Sequence, residues 1–181
     1  MFPMGGLHEG TALFRQPAGT TPSCLNVRAF DPRAGRYRGG QRAGISKYMP
    51  NAVNSTNPIQ DLNSVVTATG LTRTITRLAV SNGTIYTFTS TAATSNAASA
   101  LTTSVFAVQS QEAFQKVYYV DGTNVKVYTA STNTTATWTA SAGTFPVSGS
   151  NKPRLICLWR ARIVLSGLVG DEHNWFMSKV F

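Results

Sequence analysis

The densest group of side chains able to bind a ligand is a run of arginines between residues 28 and 42. The run comprises Arg28, Arg33, Arg36, Arg38 and Arg42, against a single acid, Asp31. A planar guanidinium group forms paired hydrogen bonds to phosphate oxygens, which indicates contact with DNA or with a bound anion. The same groups also suit an interface, where they bind carbonyl and carboxylate oxygens of a neighbouring subunit. We favour the subunit interface and keep phosphate contact as the alternative.

The other polar clusters lack the spacing that catalysis requires. Asp171-Glu172-His173 offers oxygen and imidazole ligands for a divalent ion, but no second spaced group accompanies it. Gly39-Gly40 is not followed by the Lys-Ser/Thr of a phosphate-binding loop. Ser166-Gly167 lacks the frame of a nucleophile elbow. We therefore predict no catalytic residue, no metal site, no cofactor and no enzymatic activity.

The cysteines and aromatic residues also suit packing better than chemistry. Cys24 and Cys157 are far apart and form no C-x-x-C motif, so we expect two buried thiols rather than a redox site. The tryptophans and tyrosines could stack on a sugar or a base. Because aromatic residues at alternating strand positions usually belong to a core, we predict that they pack between sheets.

Composition points to a β-rich assembly protein with anionic partners. The 181 residues include 16 Lys and Arg against 7 Asp and Glu, a net charge of +9, which favours nucleic acid first among partners. Only 13% of residues are charged, however, and Thr, Ser, Ala and Asn are abundant. Such a surface is typical of a protein covered by its neighbours. No apolar run approaches the ~20 residues of a membrane helix, so no membrane span is predicted.

Period-two patterning in the second half of the chain predicts an all-β fold. Val125, Val127 and Thr129 share one face of a predicted strand, and Lys126 and Tyr128 share the other. Similar runs occur at 113–120, 154–159, 162–167 and 174–180. We predict antiparallel sheets, arranged as a partial β-propeller-like module or as a sandwich.

The distribution of Gly and Pro divides the chain into two parts. Residues 1–50 are interrupted by Gly and Pro at nearly every turn yet carry spaced apolar anchors, which predicts an extended, irregular arm. Residues 51–70 have the composition of a linker. The predicted organisation is therefore an arm and linker over residues 1–70 and an antiparallel β domain of blade-like hairpins over residues 71–181.

A weak internal repeat supports the blade interpretation. Asn82-Gly83 and Asp121-Gly122 each lie between two apolar strands, and both dipeptides favour hairpin turns. Their separation is about the ~40–45 residues of one propeller blade. Closed propellers have ~4–8 blades, and residues 71–181 have room for two or three, so neighbouring chains would complete the packing.

Two stretches of the chain resemble the tail nozzle proteins of short-tailed phages. In the arm, Gly5-Gly6, Pro17/Gly19, Asn26 and Arg42-Ala43-Gly44 follow that family's loose pattern. Later, Arg162 leads a strand, Gly170-Asp171 forms a loop and Phe176-Met177-Ser178 ends the next strand. The resemblance covers roughly residues 5–48 and 104–180, and the chain is shorter than those proteins, as expected of a truncated member.

The resemblance implies a structural virion protein with a propeller-like platform, assembled in the host cytoplasm. Its copies would form a ring around the DNA exit channel of the tail, next to other virion proteins such as an adaptor or tail fibre, with non-specific contact to genomic DNA. A capsid decoration or cement protein and a minor head–tail protein are the alternatives. A host-glycan depolymerase, which would use Asp171 and Glu172, is less favoured.

Overall fold

The computed structural model describes residues 6–10, 12–21, 30–31, 36–37, 46–96, 100–104 and 107–179. The chain divides into two compact units, Met1–Lys47 and Tyr48–Phe181. In the first unit, β1 (Gly6–Leu7) and β2 (Thr20–Thr21) pair in parallel, and Leu13–Arg15 forms one turn of 3-10 helix. An antiparallel pair, β3 (Phe30–Asp31) and β4 (Arg36–Tyr37), encloses residues 32–35.

In the second unit, the described residues form three antiparallel sheets. The first contains β5 (Ile59–Thr69), β6 (Thr72–Ser81), β7 (Thr84–Phe88) and β8 (Ala93–Asn96). The second contains β9 (Gln109–Ala113), β10 (Lys116–Val120), β11 (Val125–Thr129) and β12 (Thr134–Thr137). The third contains β13 (Leu155–Trp159), β14 (Arg162–Leu168) and β15 (Asp171–Met177).

Each sheet is an up-and-down meander in which every strand pairs with the strands before and after it in the chain. The predicted all-β fold with antiparallel sheets is therefore confirmed. The first strands of the three sheets also lie side by side, because β9 contacts both β5 and β13. Meanders stacked in this way fit both predicted arrangements, a partial propeller-like module and a sandwich.

Two hydrophobic clusters hold the three sheets face to face. One lies between the first and second sheets and includes Leu78, Ile85, Val117, Tyr119 and Tyr128. The other lies between the second and third sheets and includes Tyr118, Val120, Val125, Ile163 and Leu165. The second sheet is thus the middle layer and is covered on both sides. The predicted alternation in β11 is confirmed, because Val125 and Val127 face the third sheet and Tyr128 faces the first.

The hairpin turns agree only in part with the sequence. Asn82 and Gly83 both have positive φ, at 49° and 73°, as a type I′ turn requires. Asp121-Gly122 instead begins a four-residue loop, because Val120 pairs with Val125. The run 113–120, predicted as one strand, is split by a two-residue turn at Phe114-Gln115, where both residues have positive φ.

Most of the predicted linker over residues 51–70 belongs to a strand, the longest one among the described residues. β5 occupies Ile59–Thr69 and pairs along its length with β6, so the second unit starts at Tyr48 rather than at residue 71. Most of the β5 side chains are polar or exposed, and the strand shows no clean apolar alternation. The backbone hydrogen bonds to β6 stabilise β5 as a strand despite its polar sequence.

The outer half of the β5–β6 hairpin extends beyond the rest of its sheet. β7 pairs with β6 only from Arg77 onward, so Thr72–Thr76 pair with β5 alone. The hairpin ends at Gly70-Leu71, where the Leu71 side chain is fully exposed. This two-stranded extension is named the ribbon.

Candidate assembly surfaces

The predicted arginine site falls almost entirely outside the described residues. Arg28, Arg33, Arg38 and Arg42 are not among them, nor is Cys24. Arg36 is described as part of β4, where it is the backbone partner of Asp31. Phosphate contact and subunit contact by this run therefore both stay predictions.

Two residues of the cluster Asp171-Glu172-His173, the acids, form hydrogen bonds at the turn between β14 and β15. Glu172 Oε1 accepts a hydrogen bond of 2.9 Å from the Gly170 N–H, and this bond is the main cause that lowers the pKa of Glu172. Asp171 accepts a hydrogen bond from the Asn174 amide. Within the part of the chain that the structure describes, no three metal-ligating side chains come together. The two acids therefore act locally, in shaping this turn.

Asp121 is a buried carboxylate that joins its own loop to the segment after the first sheet. It accepts hydrogen bonds from the backbone N–H groups of Thr123 and Asn124 in its own loop, and from the Thr102 N–H, at 2.6 Å, in the segment after the first sheet. Next to it, the Gly122 N–H donates to the Pro153 carbonyl, which leads into the third sheet. Burial raises the pKa of Asp121, but the bonds from Asn124, Thr123 and Thr102 together outweigh it and leave the pKa below its ordinary value.

The outward side of the third sheet is apolar and uncovered by the described residues. Cross-strand pairing aligns Cys157 with Val164 and Val164 with Met177, and it aligns Leu155 with Ser166 and Ser166 with Trp175. Trp175 is 62% exposed, and Leu155, Cys157 and Trp159 are also exposed. We name this largely apolar surface the third-sheet face; it consists of Leu155, Cys157, Trp159, Arg162, Val164, Ser166, Trp175 and Met177.

The outward side of the first sheet is a second apolar surface with a basic margin. Leu62 is 64% exposed, and Val66 and Ile75, which pair across the strands, are also exposed. Residues 48–53 cover part of this side, where Tyr48 packs edge-on against Phe88 and the Arg77 guanidinium lies 5.2 Å from the Tyr48 ring. We name this surface the first-sheet face; it consists of Leu62, Val66, Arg73, Ile75, Arg77, Tyr86 and Phe88, and Ala79 on the same side is completely buried.

A cleft of about 580 Å³ lies between the third sheet and the segment after β12. Trp138 forms its floor, with its ring 4.8 Å from Tyr118 and 5.0 Å from Phe145. Packing of Trp138 and the tyrosines between sheets therefore agrees with the prediction, whereas Trp159 and Trp175 are exposed. No acid lines the cleft among the described residues, so it lacks the carboxylate pair of a glycan-cleaving site.

Two features of these surfaces were missed or misjudged from the sequence. Cys157 was expected to be buried, but it is exposed on the third-sheet face, because no other described strand of the second unit packs on that side. Leu62 and Val66 were assigned to a linker and instead form part of the first-sheet face. The only signal for them is two apolar residues spaced by four in a polar stretch, which is too weak to predict a strand.

No protein-family model, curated protein or solved structure matches this chain. Among the described residues, no helix has the length and apolarity needed to cross a membrane.

Proposed function

We propose that this chain is a structural virion protein of a phage tail, a nozzle-like component of a ring around the DNA exit channel. The observation that supports the proposal most is the pair of apolar faces at the two ends of the three-sheet stack. Exposed apolar surfaces of this kind usually mark sites of protein contact. A stack with such a face at each end is suited to assembly.

The arrangement of the third sheet adds support from the residues that carry the family resemblance. Arg162 begins β14, Gly170 lies in the following turn and Asp171 begins β15, which ends at Met177. This is the order of Arg-led strand, loop and second strand that the resemblance implies. The engagement of Asp171 and Glu172 in their own turn favours a structural role over glycan cleavage.

Locating the chain in particles tests the proposal. Virions produced from a phage genome that encodes the chain with a peptide tag would be purified, analysed by mass spectrometry and imaged by cryo-electron microscopy with an antibody to the tag. We expect several copies per particle, at the tail. Absence from purified virions, or label at capsomer junctions instead of the tail, would overturn it.

A further inference from the structure

The three sheets repeat one packing rule along the chain. Val80 pairs with Ile85 on either side of the first-sheet turn, and Val120 pairs with Val125 on either side of the second-sheet loop, so these positions are equivalent. Leu78, Val80 and Ile85 pack against the second sheet. Their counterparts Tyr118, Val120 and Val125 pack against the third. The equivalent side of each sheet therefore faces the next sheet in the chain.

The same rule defines the opposite side of each sheet. The second sheet receives the first sheet on Val117, Tyr119 and Tyr128, and the third receives the second on Ile163 and Leu165. The third-sheet face is therefore the side that, in the first and second sheets, packs against the next sheet in the chain. The first-sheet face is the side that, in the second and third sheets, packs against the previous sheet. Both faces continue a type of interface that the chain already forms twice.

We propose that the third-sheet face of one copy packs on the first-sheet face of a second copy, head to tail. The inference names the self-contact that the proposed ring needs and in that respect rests on the proposed function. This contact between two chains would have the same arrangement as the packing of the second sheet on its two neighbouring sheets.

The chemistry of the two faces favours this pairing over like-with-like contact. The first-sheet face carries Arg73 and Arg77 and has no acid among its residues. Two such faces placed together would oppose cations at close range. The third-sheet face carries one cation, Arg162, whose guanidinium group donates a hydrogen bond to the Ser178 carbonyl. It also offers the exposed indole of Trp175, on which a second guanidinium group stacks favourably.

Closure of the stack follows from the number of sheets. Propellers close with about 4–8 sheets, and the described residues of one chain supply three, so one copy is too few. Two copies supply six sheets, which lies within that range. Because head-to-tail contacts form a ring when their rotation closes, we expect a closed assembly of at least two copies.

Two matched substitutions test the contact in the full-length chain. Trp175→Lys and Leu62→Lys each place a charge on one face, at positions that are more than half exposed and therefore unimportant for folding of the single chain. Leu71→Lys, at the tip of the ribbon, is the control for adding a surface lysine. By size-exclusion chromatography with light scattering, we expect wild type and Leu71→Lys to have the mass of two or more copies. Each face variant should have the mass of one.

A mixing experiment distinguishes head-to-tail from symmetric contact. Trp175→Lys keeps an intact first-sheet face and Leu62→Lys keeps an intact third-sheet face, so an equimolar mixture should form a 1:1 heterodimer and stop there. In a symmetric contact between two third-sheet faces, Leu62→Lys alone would assemble as wild type does, and that result would overturn the proposal.

Thiol labelling gives a second readout that does not depend on mass. In a Cys24→Ser background, Cys157 on the third-sheet face should react slowly with a maleimide in the wild-type assembly and rapidly in Trp175→Lys. Equal rates, or a wild type that is monomeric at tens of micromolar, would overturn the contact. A chain that assembles as described but is absent from virions would leave the contact intact and remove only the proposed function.

Discussion

The second and third sheets are both antiparallel meanders, but they differ in what covers their two sides. In β10 of the second sheet, Val117, Tyr118, Tyr119 and Val120 are all buried, because a sheet lies on each side. In β14 of the third sheet, Ile163 and Leu165 are buried while Val164 and Ser166 between them are only partly covered. The strands of the outer sheet are largely apolar on a side that the other described strands of the second unit do not cover. Burial thus depends here on position in the stack, and the comparison predicts where mutations cost stability.

Removing a large side chain should matter far more in the middle sheet than on the outer face. Tyr119 is completely buried in the first core cluster, so Tyr119→Ala should lower the free energy of unfolding by about 3–5 kcal/mol. Trp175→Ala, measured by urea denaturation at a concentration too low for assembly, should change it by less than about 0.5 kcal/mol. Equal losses from the two substitutions would contradict the layered arrangement.

Tyr119→Phe separates the ring from its hydroxyl. The Tyr119 hydroxyl is buried without a hydrogen-bond partner among the described residues, so its removal should leave stability unchanged or raise it by up to about 1 kcal/mol. A clear loss of stability in the same urea titration would show that the hydroxyl has a partner in solution.

A side chain at Gly83, in the β6–β7 turn, should destabilise the protein more than a side chain at Gly143, in an open loop. Gly83 has a φ of 73°, and a Cβ there would lie 2.4 Å from the Leu101 carbonyl oxygen. Gly83→Ala should therefore cost about 2–4 kcal/mol, from backbone strain and overpacking together. Gly143→Ala has a similar φ of 77° but open space around it, so its cost should be about 1–2 kcal/mol. Thermal unfolding of both variants isolates the cost of the contact.

Two buried carboxylates should respond to pH with opposite sign. The pKa of Asp121, in the loop between β10 and β11, is lowered, so its stabilising contribution is present above the ordinary aspartate pKa and is lost as pH falls through the folded-state value. Asp121→Ala should cost about 2 kcal/mol at pH 7, because three backbone N–H groups lose their acceptor. Urea midpoints measured from pH 7 to pH 2.5 should fall more steeply for wild type than for Asp121→Asn.

Asp61, between the first and second sheets, is the matched opposite case. Burial raises its pKa, and the hydrogen bond from the Ser110 hydroxyl offsets this only in part. Its contribution is therefore full below the ordinary aspartate pKa and is lost as pH rises through the folded-state value. Relative to wild type, Asp61→Asn should gain stability as pH rises from the ordinary aspartate pKa through the folded-state value, and the difference should then stay constant. A parallel pH response in Asp61→Asn and Asp121→Asn would contradict the assignment of opposite shifts.

A modest gain in stability is expected from relieving strain in the turn between β13 and β14. Arg160 and Ala161 join β13 and β14 with φ values of 46° and 57°, which residues with side chains adopt reluctantly. Replacing them together with Asn-Gly should raise stability by about 1 kcal/mol. The turn between β6 and β7 already has Asn82-Gly83 in the wild type and serves as the internal reference. A loss of stability would show that the Arg160 guanidinium over the Trp159 ring contributes more than the strain costs.

The parts of the fold that were predictable are those where local chemistry and tertiary packing agree. Val125 and Tyr128 lie on opposite faces as their alternation indicates, and Asn82-Gly83 forms the expected turn. The turn at Phe114-Gln115 was not predictable, because neither residue favours positive φ and the pairing of β9 with β10 imposes it. β5 was missed for a related reason, since its pairing with β6 compensates for a polar sequence.

The candidate surfaces were less accessible to sequence reasoning than the strands. Apolar alternation shows that a strand has a buried side, but it does not show whether its own chain or another one covers that side. Trp159 and Trp175 have the same alternating pattern as the buried Tyr119, and only the stacking order distinguishes them. The arginine run, which dominates the sequence chemically, lies mostly outside the described residues and its role stays a prediction.

The tip of the ribbon offers a position for marking the molecule, at the end of the first-sheet face farthest from Leu62. The tip lies roughly 25 Å along β5 from Leu62, at about 3.3 Å per residue, and a Cβ added at Gly70 would meet nothing within 4 Å. An epitope or biotin-acceptor peptide inserted between Gly70 and Leu71 should therefore leave folding and self-contact intact. Bound gold or streptavidin would then appear as one point of density per copy in micrographs, which would count the copies and reveal their orientation in a particle directly.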